Sequence, residues 1–346
     1  MSLKVGIVGL PNVGKSTLFN AILGRQQALT APYPFATVEP NIGVVDVPDE
    51  RLVKLREAMF PAASKPPLVF STVTFVDIAG LVKGAAEGQG LGNKFLGHIR
   101  DVDLILHVLR DFDDPDVPRA ADSKNPEYDA EIVRTELELK DLEVTEREKG
   151  KKKDQKDKKD QKDKKDQKEE GKTLAKKPVI YAINVSEEKL ATIINKGPTL
   201  PRQGRTFSDI GGESLLFYFS AKIEEEISKM PKNEQKEYLK IYGLTRSCLD
   251  RIIGECFRAL GLISFFTAGP KEVRAWPVRR DSPAPKAAGV IHSDFEKLFI
   301  RAEVTGWEKL AGCGLWPAAK EKGLVRIEGK DYLVKDGDIC NFLIGK

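Results

Sequence analysis

The sequence predicts an α/β domain on a mainly parallel sheet, followed by a small β-rich α+β module. Three observations carry this. Strand-like apolar runs alternate with helical periodicity through the first third of the chain, and two further strands follow after a gap. A Gly-rich turn, "GLPNVGKS" at residues 9–16, joins the first strand to the first helix. From Leu262 onward, over 85 residues, the pattern changes to short strands between turns.

The elements follow in order. "LKVGIVG" is an apolar strand, and "KSTLFNAIL" after the turn has helical spacing. "NIGVVDV" and "VFSTVTFVDIAG" are strands rich in β-branched residues. "DVDLILHVLRDF" has a nearly continuous apolar centre, which suits a parallel strand covered on both faces. "PVIYAIN" and "SLLFYFSA" complete the set, and "NEQKEYLKIYGL" and "CLDRIIGECFRALGL" read as helices. The last module offers "ISFFTAG", "EVRAWPV", "KLFIRAEV", "LVRIEG" and "KDYLVKDGDICNFLIG" as strands, with one helical piece near "SPAPKAAGVIHSDFEK".

Residues 115–177 interrupt the first domain. "DAEIVRTELELKDLEVTEREK" is a strong helix, with Ile132, Val133, Leu137, Leu139 and Leu142 as its apolar positions. The K-D-K-K-D-Q repeat that follows has no apolar residue from 151 to 171, so it cannot bury a face. It reads either as a flexible charged linker or as a solvated helix held by opposite charges three and four apart. A Gly- and Pro-rich loop, "GPTLPRQGRTFSDIGGE", is expected to be mobile rather than chemical. The division is therefore 1–261, interrupted at 115–177, and 262–346.

Composition narrows the class. No apolar run reaches the roughly 18 residues that span a bilayer, and "MSLKVGIVGLPNVGKS" lacks a signal-peptide layout. Cys248, Cys256, Cys313 and Cys340 have no C-x-x-C spacing, so reduced thiols in a cytoplasmic protein are expected. Residues 151–168 hold ten Lys against five Asp, a net +5 within a whole-chain +4, so the remainder carries −1. The basic balance thus belongs to one segment and is weak support for nucleic-acid binding by the folded domains.

The Gly-rich turn fits G-x-x-x-x-G-K-[ST], a loop whose amides cradle phosphate. Gly9 and Gly14 let the backbone curl so that the amides of Asn12, Val13, Gly14 and Lys15 point inward, with Thr17 next in the helix. Lys15 places a charge on the β- and γ-phosphates, and Ser16 offers a hydroxyl to Mg²⁺. Asp77 and Gly80, in "DIAGL", fit a switch turn: Asp77 reaches the magnesium shell through water and Gly80 senses the γ-phosphate. Thr37 lies between the two motifs, where a switch loop would supply a second Mg²⁺ ligand.

Guanine recognition usually needs N-K-x-D, whose Asp accepts from the base. This chain has "NVSE", residues 184–187, with Val185 for Lys and Glu187 for Asp. A carboxylate displaced by one methylene misses guanine, whereas Asn184 can serve adenine. Ser220, Ala221 and Lys222, in "FSAK", supply the second loop around the base. ATP is expected over GTP.

These runs, with "PFATVEPNIGVV", "DIAGLVKGAAEGQGLGNKFLGHIR", "FTAGPKEVRAWPV" and "EGKDYLVKDGDICNF", resemble the YchF subfamily of Obg-like ATPases over nearly the whole chain. The resemblance implies a Ras-like P-loop domain, an inserted helical arm and a C-terminal ubiquitin-like (β-grasp) TGS domain. It further implies ATP preference, association with the ribosome (large subunit or whole) and RNA contact through the TGS domain. The family's arm returns as a second amphipathic helix; here the charged repeat takes that place.

Leu81 stands where many switches carry the Gln that orients water. The family assigns that role to a His in the following strand, and His107 matches it. His98, on the helix after the switch, is the other candidate, and a His in an apolar strand also reads as a plain core residue. Asn12 matches an Asn that coordinates K⁺ in relatives with this loop, a charge that could offset the transition state. The expectation is a slow Mg²⁺-dependent ATPase acting as a switch in translation or stress response. A GTPase, or an ATP-gated RNA- or ribosome-binding protein with negligible hydrolysis, is the rival.

Overall fold

The computed structural model describes residues 3–29, 42–61, 65–78, 97–120, 123–154, 174–195 and 215–345. In chain order the strands are β1 (Lys4–Val8), β2 (Ile42–Asp46), β3 (Leu68–Val69), β4 (Thr72–Asp77), β5 (Leu104–Asp111) and β6 (Val179–Val185). They continue as β7 (Leu215–Phe219), β8 (Leu262–Ala268), β9 (Val273–Arg279), β10 (Phe299–Gly306), β11 (Arg326–Glu328) and β12 (Asp338–Ile344). The helices are α1 (Lys15–Leu29), α2 (Glu50–Met59), α3 (Pro126–Asp154), α4 (Glu187–Asn195), α5 (Ala221–Lys229) and α6 (Lys232–Ile241). After them come α7 (Cys248–Ala259), α8 (Ala284–Ile291), α9 (Ser293–Lys297), α10 (Trp307–Cys313) and α11 (Trp316–Glu321). Two compact units result, Met1–Val45 with Thr74–Ile252, and Asp46–Val73 with Ile253–Lys346.

The first unit is a six-stranded sheet in the order β2-β4-β1-β5-β6-β7. β1 pairs in parallel with β4 and β5, and β5–β6 and β6–β7 are also parallel. Seven consecutive buried residues in β5 bear out a strand covered on both faces. The loop ends of these parallel strands point the same way, which is where α/β sheets place ligands.

The arm begins at Asn125, whose side chain accepts from Tyr128 N at 2.8 Å and caps α3. Ala130, Val133 and Leu137 are buried at its base, whereas Leu139 and Leu142 are exposed further along. The helix extends through Asp154, four residues into the charged repeat. The rest of that repeat lies outside the described residues, as does the Gly- and Pro-rich loop. The chain re-enters at Leu174, where Asp141 accepts from Leu174 N (2.8 Å) and Ala175 N (2.9 Å).

The second unit has the sheet order β11-β10-β12-β8-β9-β3. β8–β9 and β10–β12 are antiparallel, β8–β12 parallel, so β9-β8-β12-β10-β11 is the β-grasp arrangement. α8 covers one face through Ala284, Ala287 and Ala288. The other face is covered by α2, α10 and α11, none of which the sequence reading identified. Residues 46–73 also depart from the expected division, since they cluster with this unit. α2 buries Leu52 and Leu55 beside Phe266, Val273 and Leu310, and β3 pairs with β9. The units part within α7 rather than after it. All four cysteines are free, and among the described residues no helix is long and apolar enough to cross a membrane.

Candidate functional site

The Gly-rich turn sits between β1 and α1. A Cβ on Gly9 would stand 2.3 Å from Val108 O, so the loop packs directly against the backbone of β5. Gly14 has φ +97°, and a Cβ there would stand 2.5 Å from Asn184 Nδ2; both facts require glycine. Asn12 takes a left-handed conformation, φ 62°, which Asn tolerates better than most residues.

Lys15 is buried, and its ammonium donates to Leu10 O at 2.8 Å. Burial pushes its pKa down, opposed by the charge of Asp77. Ser16 Oγ donates to Asp77 Oδ2 at 3.0 Å, while Asp77 Oδ1 is buried with no hydrogen-bond partner. An alcohol beside a half-satisfied carboxylate is a donor set that suits a hard divalent cation. No group of three or more His, Cys, Asp or Glu among the described residues could hold a metal by itself.

Asn184, at the end of β6, is a structural hub. Its Nδ2 donates to Val13 O (3.0 Å) and its Oδ1 accepts from Ala221 N (2.9 Å). Asn184 therefore braces the loop, and one N–H and one lone pair remain on its amide. Ser220 caps α5, its Oγ accepting from Ile223 N. Beyond it, Lys222 Nζ meets Glu187 Oε1 at 2.7 Å. This hydrogen bond holds the Glu187 carboxyl below its usual range.

These groups surround a cleft of about 500 Å³ lined by Asn12, Gly14, Lys15, Ser16, Thr17, Asn184, Val185, Ser220, Ala221 and Lys222. Phe112, Asp113, Asp114 and Val117 line it too, and sequence reasoning missed them. Arg110 was missed as well. It is 2% exposed, and its guanidinium donates to Phe112 O, Val117 O and Pro118 O at 2.7–3.2 Å, and to Asn12 O at a longer 3.4 Å. The available signal was an arginine inside an apolar strand, a residue type almost never buried without partners.

His107 is not among the residues lining this cleft. It is 3% exposed on β5, between Val8 and Tyr181 in the strand register. Burial, then the charge of Lys15, pushes its pKa to about 3, and Nε2 has no hydrogen-bond partner. His98 is exposed. Thr37, Gly80 and Leu81 lie outside the described residues.

A family model described as 50S ribosome-binding GTPase matches residues 4–185. The YchF GTPase C-terminal model, described as a protein of unknown function, matches residues 262–345. The chain is 42% identical to the Ribosome-binding ATPase YchF of Bacillus subtilis, over 99% of each chain. It is 41% identical to Obg-like ATPase 1 of Rattus norvegicus, over 99% of this chain and 92% of that one. The structure of the Schizosaccharomyces pombe YchF GTPase matches with a TM-score of 0.79 and 34% identity, over 99% and 98%. On full-length similarity at this level, the chain belongs to the YchF subfamily of Obg-like P-loop ATPases.

Proposed function

We propose that this protein is a Mg²⁺-dependent ATPase that works as a nucleotide switch on the ribosome, in the cytoplasm. The observation that supports the choice of base is Glu187, one methylene longer than the Asp that meets guanine, with its Oε1 held 2.7 Å from the Lys222 ammonium. The names of the relatives, ribosome-binding ATPases, support the same reading.

In this account the amides of residues 12–15 and the Lys15 charge bind the phosphates. Ser16 and Thr37 are the residues that would hold Mg²⁺, with Asp77 reaching it through water. When bound, the ion neutralises charge that builds on the transferred phosphoryl group. Gly80 reads the γ-phosphate. Asn184 and Val185 contact adenine while Asn184 also braces the loop. Asn12 spends Nδ2 on Pro118 O (3.1 Å), which leaves its amide oxygen as the atom a K⁺ ion would use.

His107 has the chemistry to hold the attacking water. It stays neutral down to about pH 3, and its buried Nε2, which has no hydrogen-bond partner, accepts from water in the Nδ1-protonated tautomer. At 3% exposure, water reaches that nitrogen only when the residues above β5 move. Intrinsic turnover is therefore slow, and a partner that moves those residues accelerates it. The C-terminal unit, read as a TGS domain, supplies the contact to ribosomal RNA.

The test is single-turnover ATP hydrolysis by the wild type and His107→Ala, each with and without ribosomes. Hydrolysis that ribosomes stimulate, and that falls at least about 10²-fold in the variant, is expected. Tight ATP binding without hydrolysis in either setting would favour the ATP-gated binding protein instead.

A further inference from the structure

Arg110 and Asn184 are direct partners in the β5–β6 register. Both sit at the loop end of the sheet, and both are buried. Asn184 holds the carbonyl of Val13, and Arg110 reaches the carbonyl of Asn12, the residue before it. Arg110 binds three further carbonyls, those of Phe112, Val117 and Pro118, and its guanidinium lies 4.3 Å from the centre of the Phe112 ring. The segment it gathers supplies Phe112, Asp113, Asp114 and Val117 to the cleft wall. Asn12 Nδ2 binds the same Pro118 carbonyl from the loop side.

We propose that Arg110 is a positioning residue for nucleotide binding, a second anchor of the phosphate loop beside Asn184. It fixes the loop at Asn12 and joins to it the wall formed by residues 112–118. The planar fork of arginine explains the residue type. One group must reach four carbonyls in different directions, and an ammonium has neither the span nor the donors. The four carbonyls carry no net charge, so removing Arg110 also leaves several polar groups unsatisfied. This inference rests on the proposed ATP-binding function of the cleft and adds to it a residue that does not touch nucleotide.

The test uses full-length protein and a fluorescent ADP analogue. Arg110→Lys is expected to bind ADP and ATP about tenfold more weakly, to a similar extent, because the anchor acts on the loop that holds the phosphates both share. KM for ATP should rise by a similar factor with kcat within about twofold, a split that general loss of fold does not produce. The double variant with Asn184→Ala should weaken binding by less than the product of the single effects, since both act on one loop. Should the variants fold poorly, hydrogen exchange on the wild type remains. Adding ADP should slow exchange in residues 9–16 and 112–119 together. Unchanged affinity in folded Arg110→Lys, or ADP protection confined to residues 9–16, would overturn the anchoring role while leaving ATP binding intact. A wild type that binds neither nucleotide would overturn both.

Discussion

Glu187 and Lys222 face each other at the wall of the cleft, their charged atoms 2.7 Å apart. Lys222 is 69% exposed and Glu187 25%, so the pair is an outer clasp and contributes little to stability. In the proposed adenine site it engages Glu187 Oε1 and leaves the base to other groups. Glu187→Ala should therefore change ATP affinity by no more than about fivefold, the scale of an exposed ion pair. Isothermal titration checks this; a loss of two orders of magnitude would mean that Glu187 bonds the base.

Asn184→Ala should be much more costly. It orphans Val13 O and the Ala221 amide in a buried setting, at about 1–3 kcal/mol for each unsatisfied group. The nucleotide-free protein should melt several degrees lower and bind ATP at least tenfold more weakly. A variant that loses affinity with an unchanged melting temperature would show that Asn184 serves only the base.

His107 ties stability to pH. Its folded pKa, about 3, lies below the ordinary 6.5, so between these values the unfolded chain binds a proton that the folded one does not. Its contribution is full above pH 6.5 and falls on acidification, by up to about 1.4 kcal/mol per pH unit. His107→Phe should flatten the decline in denaturation midpoint from pH 6.5 to 4.5. An equal slope in both proteins would mean that His107 is not the buried neutral group described.

Much of this architecture could be read from the sequence, and the exceptions have physical causes. Strands and phosphate loop announce themselves because β-branched runs and a Gly-Lys-Ser turn have fixed local geometry. "ERLVKLREAM" carries the apolar spacing of an amphipathic helix, but nothing local says which sheet Leu52 and Leu55 will cover. The two-residue strand β3 owes its existence to β9, more than 200 positions away. Arg110 stands out in the sequence only as an arginine in an apolar strand, and its role does not, because its partners are backbone carbonyls, which leave no trace in side-chain motifs. Asn184 was legible as a motif member, yet its bracing of Val13 and Ala221 appears only once three loops are brought together.

The second unit has its own test. Arg51 pairs with Asp49 and Asp336, both at 2.7 Å, and Asp336 also accepts from Ser264 N at 3.0 Å. This network fastens α2 to the β-grasp sheet. Arg51→Ala should cost about 1–2 kcal/mol, more than an isolated surface pair because several charge-assisted bonds are lost together. All three tryptophans, Trp276, Trp307 and Trp316, lie in this unit. Their fluorescence during urea unfolding therefore reads it selectively, and an unchanged midpoint would contradict the fastening role.

Whether the cleft holds adenine in preference to guanine is decided by calorimetric titration of the wild type with ATP and with GTP, at equal Mg²⁺ and K⁺. ATP should bind at least about tenfold tighter, a difference of roughly 1.4 kcal/mol. Equal or tighter GTP binding would rule out the adenine site.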